Sequence, residues 1–185
     1  MALTPSNMLA LGTPAPDFTL PDTISQTDVS LANIKSDIAT VVMFICNHCP
    51  YVKHLQQALV DIANTYQAKG IAFVAISAND VENYPDDAPD KMRDIAKHYH
   101  YPFPYLYDET QAVAKAYKAA CTPDFFIFDQ TLQCVYRGQF DDSRPGNDTL
   151  VTGRDLRQAL DHLLVGEPVS SEQRPSVGCN IKWKQ

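Results

Sequence analysis

Residues 40–66 read TVVMFICNHCPYVKHLQQALVDIANTY, and the reading of this stretch decides the fold. Thr40 to Ile45 is a short, apolar run rich in β-branched residues, the pattern of a strand covered on both faces in a parallel sheet. Val52, Leu55, Leu59, Ile62 and Tyr66 then recur at alternating spacings of three and four. They form one apolar stripe on a helix expected to begin near Cys46 to Pro50. Cys46 and Cys49 are therefore expected on its first turn, where unpaired backbone N–H groups and the positive end of the helix dipole favour an anion.

Working outward, Gly70 ends the helix in a position that tolerates a left-handed conformation, and Ile71 to Ile76 reads as a second buried strand. The resulting strand–helix–strand unit implies a parallel pair. Asn79 to Asp90 is acidic, holds two prolines and reads as a loop; Met92, Ile95 and Tyr99 mark a helix closed by His98 and His100. Pro102 to Tyr107 reads as extended, and Thr110 to Ala120 as a helix with Val113, Ala116, Tyr117 and Ala120 inward. Phe125 to Phe128 and Leu132 to Arg137 flank a turn and read as a hairpin that makes the sheet mixed, with Cys134 sharing strand parity with Leu132 and Tyr136. Upstream, Phe18 and Leu20 alternate with Thr19 in a proline-punctuated segment, Gly12 to Asp22, that suggests a short strand, and Leu31 to Ser36 reads as a turn or short helical piece. Gly153 to Val165 is a last helix. The tail from Gly166 carries Cys179, Ile181 and Trp183, which a purely disordered segment seldom does, so it is expected to dock.

Composition narrows the classes. The chain has 185 residues, 45% of them apolar, enough for one domain with a core, expected to span 1–185 with residues 166–185 packed on it. The net charge of −7 argues against nucleic acid as a partner. The first 18 residues have no basic start and their apolar residues are broken by polar ones and prolines, so neither signal peptide nor membrane anchor is expected. A cytoplasmic location follows. Five cysteines, an odd number, do not resemble the disulfide framework of a small secreted domain; they read as a reactive pair with spectators.

A CxxC pair is ambiguous between metal and redox work. A structural zinc site needs four ligands, and His48, lying between Cys46 and Cys49, cannot easily share their metal; no second CxxC or HxxxH follows. At the end of a buried strand and the start of a helix, with an X-Pro and a hairpin much later, the pair fits the thioredoxin arrangement. APDF near the start, FICNHCPYVKH, CTPDFFIFD and GCNIKW at the end together resemble the thioredoxin-like, peroxiredoxin-like group of the alkyl hydroperoxide reductase and thiol-specific antioxidant (redoxin) superfamily. The resemblance implies an α/β, thioredoxin-like fold: a mixed central sheet flanked by helices, with an N-terminal hairpin extension, an inserted helix and a docked C-terminal tail. It also implies a CxxC redox centre and a cis-proline facing it, Pro123. Asn47 stands where such centres often carry glycine or proline.

From the chemistry, Cys46 is expected nearest solvent, with the lower pKa, attacking a substrate disulfide, and Cys49 one turn inward as the resolving thiol. His48 can donate to the Cys46 thiolate or place positive charge beside it; as a plain alternative it is a solvated turn residue. His54 reads as a surface residue. A cis Thr122–Pro123 bond would turn the Thr122 backbone toward Cys46, ready to pair with an extended substrate; an ordinary trans proline opening a strand is the alternative. Cys121 and Cys179 are candidate additional redox thiols, set against packed apolar roles; Cys134 reads as core. No cofactor and no metal are expected, and the partners are a protein or small-molecule disulfide and a thiol electron donor. The leading function is thiol–disulfide oxidoreductase. The alternative is a thiol peroxidase with Cys46 peroxidatic and Cys49 resolving; against it, Met43 stands where peroxiredoxins typically carry a threonine and Ala39 where their motif proline falls, and nothing in the sequence places Arg137 at the site. A non-enzymatic metal-binding or docking module is a third class.

Overall fold

The computed structural model describes residues 3–185; Met1 and Ala2, the first two residues of the expected domain 1–185, lie outside the described residues. The central strand β4 (Ala39–Phe44) is buried along its whole length. Its side chains alternate between two cores, as the two-residue period of a strand requires: Val41 and Met43 face one side, Val42 and Phe44 the other. Neither side can be solvated, and the continuous apolar run of the sequence is the result.

Before β4 come β1 (Leu3–Pro5), the hairpin β2 (Thr19–Pro21) and β3 (Asp28–Ser30), and the short α1 (Leu31–Ile34). After it, α2 (Pro50–Gln67) crosses to β5 (Ala72–Ser77), which pairs parallel with β4 from Thr40 opposite Ala72 to Phe44 opposite Ile76. A single turn of 3-10 helix, 85–87, and α3 (Pro89–His98) then lead to β6 (Tyr105–Tyr107), parallel to β5. The short α4 (Ala112–Ala116), β7 (Cys121–Thr122), β8 (Asp124–Asp129), β9 (Cys134–Gly138), α5 (Arg154–Leu164) and β10 (Val177–Asn180) complete the chain. The main sheet runs β6-β5-β4-β8-β9, with β8 antiparallel to both its neighbours, β4 and β9. Apolar residues of α2, α3 and α5 pack on one face; Leu9, Phe18, Leu31, Val113 and Tyr117 cover the other. This is a thioredoxin-like fold with a mixed central sheet flanked by helices, the hairpin β2–β3 added in front and α3 inserted.

Helix α2 buries the whole stripe read from the sequence, Val52, Leu55, Leu59, Ile62 and Tyr66. It starts at the far end of the expected range, so the cysteines precede its first turn rather than lying on it. Pro50 occupies its first turn, where the fixed φ suits a helix and the missing N–H costs nothing, so Cys49 is the N-cap and Cys46 lies in the preceding loop. The helix ends where Gly70 adopts φ +91°. Two other expectations also shift. Helix α4 stops at Ala116, whose side chain is exposed while Ala114 is buried. In the hairpin, a bulge separates the pairs Ile127 with Tyr136 and Phe128 with Cys134. The extra residue breaks strand parity, so Cys134 joins the core of Phe128 while Tyr136 joins that of Ile127.

A second sheet, β1-β10-β7, carries the end of the chain. Strand β10 lies antiparallel between its neighbours, with Cys179 opposite both Leu3 and Thr122 and Asn180 opposite Cys121. Gly178 permits the approach: a Cβ there would stand 2.0 Å from the Thr122 carbonyl oxygen. Beyond the strand, Lys182 N–H donates to the Asn79 side chain and Lys182 O accepts from Asp80 N–H and the Gln111 amide. Ile181 is buried, but Trp183 is 39% exposed beneath the Lys115 ammonium, so the apolar grip expected of it falls to Ile181.

Candidate active site

The loop 46–49 leaves the C-terminal end of β4 and enters α2, and both its cysteines are buried, Cys46 1% and Cys49 0% exposed. The bond between Thr122 and Pro123 is cis, and this segment faces the pair. Thr122 Oγ1 lies 3.4 Å from Cys46 Sγ, and the Thr122 carbonyl oxygen 3.2 Å from Cys49 Sγ. Cys179 arrives from β10, its Sγ 2.9 Å from that of Cys49. Cys46, Cys49, Thr122, Pro123 and Cys179 are thus brought together. Cys121 is not: its thiol donates to the carbonyls of Pro123 and Ser176, and burial, followed by the nearby Asp124, pushes its pKa up. His54 meets the hydroxyl of Ser143.

The residue that organises the loop is Asp87, which the sequence places in an acidic, proline-rich stretch with the signature of a solvated loop. It is fully buried. Its Oδ1 accepts the backbone N–H groups of Asn47 (2.8 Å) and His48 (3.1 Å), and its Oδ2 accepts His48 Nδ1–H (2.5 Å) and the Asn79 amide (2.8 Å). Burial favours the neutral acid, but the His48 and Asn79 hydrogen bonds win and hold Asp87 below the ordinary carboxylate range. His48 is far from a solvated turn residue: its ring stacks on Tyr84 at 5.4 Å, and its Nδ1 is also 3.9 Å from Cys46 Sγ. Asn79 ties this network to the tail, since it also accepts Lys182 N–H. The signal that would have revealed Asp87 is weak, an aspartate within a Pro-Asp-Asp-Ala-Pro turn, because its partners in the cysteine loop come from some 40 residues earlier.

The ionisation order of the two thiols is the reverse of the one expected. Cys49 is held down to about 5, first by the Cys46 thiol donating to it, against the cost of burial, with Cys179, Thr122 and the Val52 amide adding to the effect. Cys46 is pushed well up by that same bond to Cys49, by burial and by the Asp87 carboxylate. The surroundings of the reduced pair thus favour the charge on Cys49 and the proton on Cys46. The cause is positional: Cys49 is the N-cap of an 18-residue helix, and the fixed negative charge sits beside Cys46.

A second correction concerns access. The Thr122 backbone edge, expected to be open for an extended substrate, is occupied by the chain's own β10 through Cys179. Among the described residues, Cys46, His48 and Asp87 also bring three metal-ligating atoms within 4.8 Å of one another. His48 Nδ1 and Asp87 Oδ2 already satisfy each other there, so the hydrogen-bond network accounts for the arrangement by itself.

Residues 11–137 match the AhpC/TSA family. The chain belongs to it. This membership supports a thiol redox role. No curated protein matches the sequence. Two solved structures are similar over nearly their whole lengths. An uncharacterized conserved protein from Geobacillus kaustophilus is 60% identical with a TM-score of 0.98, covering 100% of this chain and 97% of that one. A hypothetical protein from Sinorhizobium meliloti is 49% identical with a TM-score of 0.95, covering 98% of each. The thioredoxin domain of a thiol-disulfide oxidoreductase from Bacteroides vulgatus shares the fold at 19% identity and a TM-score of 0.60, over 80% of this chain and 96% of its own. Among the described residues, no helix is long and apolar enough to cross a membrane.

Proposed function

We propose that this AhpC/TSA protein is a thiol–disulfide oxidoreductase whose centre is Cys46-Asn47-His48-Cys49. The observation that carries the reading is the placement of the pair: Cys46 and Cys49 lie in the loop entering α2, both against Thr122 and the cis-proline Pro123, and the Cys46 thiol and the start of the helix favour the thiolate of Cys49. Such a pair has what disulfide exchange requires, an anion and a second thiol within bonding reach. Cys46 attacks the substrate disulfide, and its proton passes to Cys49 across their shared hydrogen bond. One S–S bond breaks, the mixed disulfide forms on Cys46, and the first substrate sulfur leaves as a thiolate. Cys49 then attacks Cys46, closing the Cys46–Cys49 disulfide as its proton goes to the second leaving sulfur. A thiol donor restores the reduced pair. His48 and Asp87 position the loop. Five cysteines, an odd number unlike a secreted disulfide framework, favour a reducing, cytoplasmic setting.

Hydroperoxide reduction is the weaker reading. Cleavage of an O–O bond needs several donors positioned for the peroxide oxygens, and beyond the Thr122 hydroxyl at Cys46 the residues that peroxidases would use do not supply them. Met43 is a buried apolar residue of β4, and Arg137 is committed to the Leu9 carbonyl and the Gln173 side chain. The test is a pair of second-order rate constants on one preparation. Reduction of insulin or a small disulfide with dithiothreitol is expected to run much faster than consumption of hydrogen peroxide, and Cys49→Ser is expected to trap mixed disulfides on Cys46. A peroxide rate far above that of a free thiol and lost on Cys46→Ser would reverse the assignment.

A further inference from the structure

The tail brings a third thiol to the pair. We propose that Cys179 is redox-active, exchanging with the centre so that the oxidised protein distributes its disulfide between Cys46–Cys49 and Cys49–Cys179, with β10 as an internal substrate strand. This rests on the reading of the CxxC as a dithiol–disulfide centre and adds a residue and a route to it.

Three observations carry the inference. The first is contact: Cys179 Sγ stands 2.9 Å from Cys49 Sγ, while the thiol of the equally buried Cys121 is spent on carbonyl oxygens. The second is register. Cys179 lies directly opposite Thr122, whose backbone precedes the cis-proline and faces the centre, which is the edge an extended disulfide substrate would take. The third is fixation. β10 is paired on both edges, Gly178 is the residue that lets it approach Thr122, and the Lys182 hydrogen bonds to Asn79, Asp80 and Gln111 anchor the chain just beyond. A cysteine packed merely to fill space has no need of this register.

The step balances without an outside reagent. Starting from the Cys46–Cys49 disulfide, Cys179 gives up its proton and its sulfur attacks Cys49 Sγ. The Cys49–Cys179 bond forms as the Cys46–Cys49 bond breaks, and the electron pair leaves on Cys46, which takes up the proton. In the reduced protein Cys179 stays a thiol, because burial and then its hydrogen bond to Cys49 push its pKa up to about 12. Oxidation removes the Cys49 anion and with it that second restraint. The disulfide enters at Cys46 and moves on to the Cys49–Cys179 pair, which returns Cys46 to a thiol.

Peptide mapping under non-reducing conditions decides the matter. The full chain is equilibrated with a mixture of oxidised and reduced glutathione, quenched with acid, alkylated and digested. The expected result is a Cys49–Cys179 cross-link alongside the internal Cys46–Cys49 disulfide, increased in Cys46→Ser and lost in Gly178→Ala, where the added Cβ displaces β10 from Thr122. A wild-type protein whose disulfide lies wholly within Cys46–Cys49 overturns the proposal while leaving the CxxC reading intact. Failure of Cys179→Ala to form Cys46–Cys49 at any ratio of the two glutathiones removes the CxxC reading itself.

Discussion

Cys134 and Cys49 lie on opposite faces of one sheet, both inaccessible to solvent, and they ionise at opposite ends of the thiol range. Burial raises Cys134 to about 11, only partly countered by the nearby Arg137, and its thiol donates to the Tyr136 carbonyl. Cys49 is held at about 5 although burial acts on it in the same direction. What separates them is the balance of donors: at Cys49 two further thiols and the Val52 amide at a helix start outweigh burial, even with the Thr122 carbonyl close by, whereas at Cys134 burial outweighs Arg137 and the Tyr136 backbone. A sulfur enclosed by acceptors stays protonated, and enclosure becomes activation when the surrounding groups can donate.

The contrast can be strained first at the group that holds the loop in place. Asp87→Ala leaves two buried backbone amides and the Asn79 amide without their acceptor and His48 without its partner, and is expected to destabilise the protein by about 3 kcal/mol. Urea unfolding checks this through a lower midpoint at unchanged slope. A loss of no more than about 0.5 kcal/mol, the range of surface substitutions, would mean that Asp87 does not organise the site. On the other face the effect is smaller. Cys134→Ala removes a packed sulfur and nothing that donates or reacts, so it is expected to cost on the order of 1 kcal/mol and leave disulfide exchange at the wild-type rate. A large fall in exchange would show the two faces to be coupled.

The same contrast explains what was legible in the sequence. β4, α2 and β5 were readable because their residues are buried by local periodicity, two for strands and 3.6 for the helix, and the cysteine spacing within them survives translation into three dimensions. The start of α2 is legible only to within the few residues that decide which cysteine caps it, since the apolar stripe marks the boundary less sharply than Pro50 does. β1 and β7 carry three and two residues, too few for any period to register. Asp87 and Cys179 became parts of the site through partners about 40 and 130 positions away, at His48 and Cys49. A buried carboxylate and a solvated one are the same letter, and only its partners tell them apart. Cys134 is core, as its parity with Leu132 implies, and shares that side with Leu132 but not with Tyr136, because a bulge changes parity without changing composition.

The central claim is that the reduced centre carries one thiolate at neutral pH, on Cys49. Oxidation of a pair holding a single proton releases two electrons and one proton, so its reduction potential must fall by about 30 mV per pH unit, half the slope of a pair holding two. With Cys49 at about 5 and Cys46 and Cys179 both raised, this slope is expected between about pH 6 and about pH 8, steepening below pH 5 as Cys49 gains its proton. The measurement is an equilibrium titration of the CxxC against glutathione at several pH values in that window. A slope of about 30 mV per unit is the predicted result; about 60 mV per unit, the signature of two protonated thiols, would contradict the account.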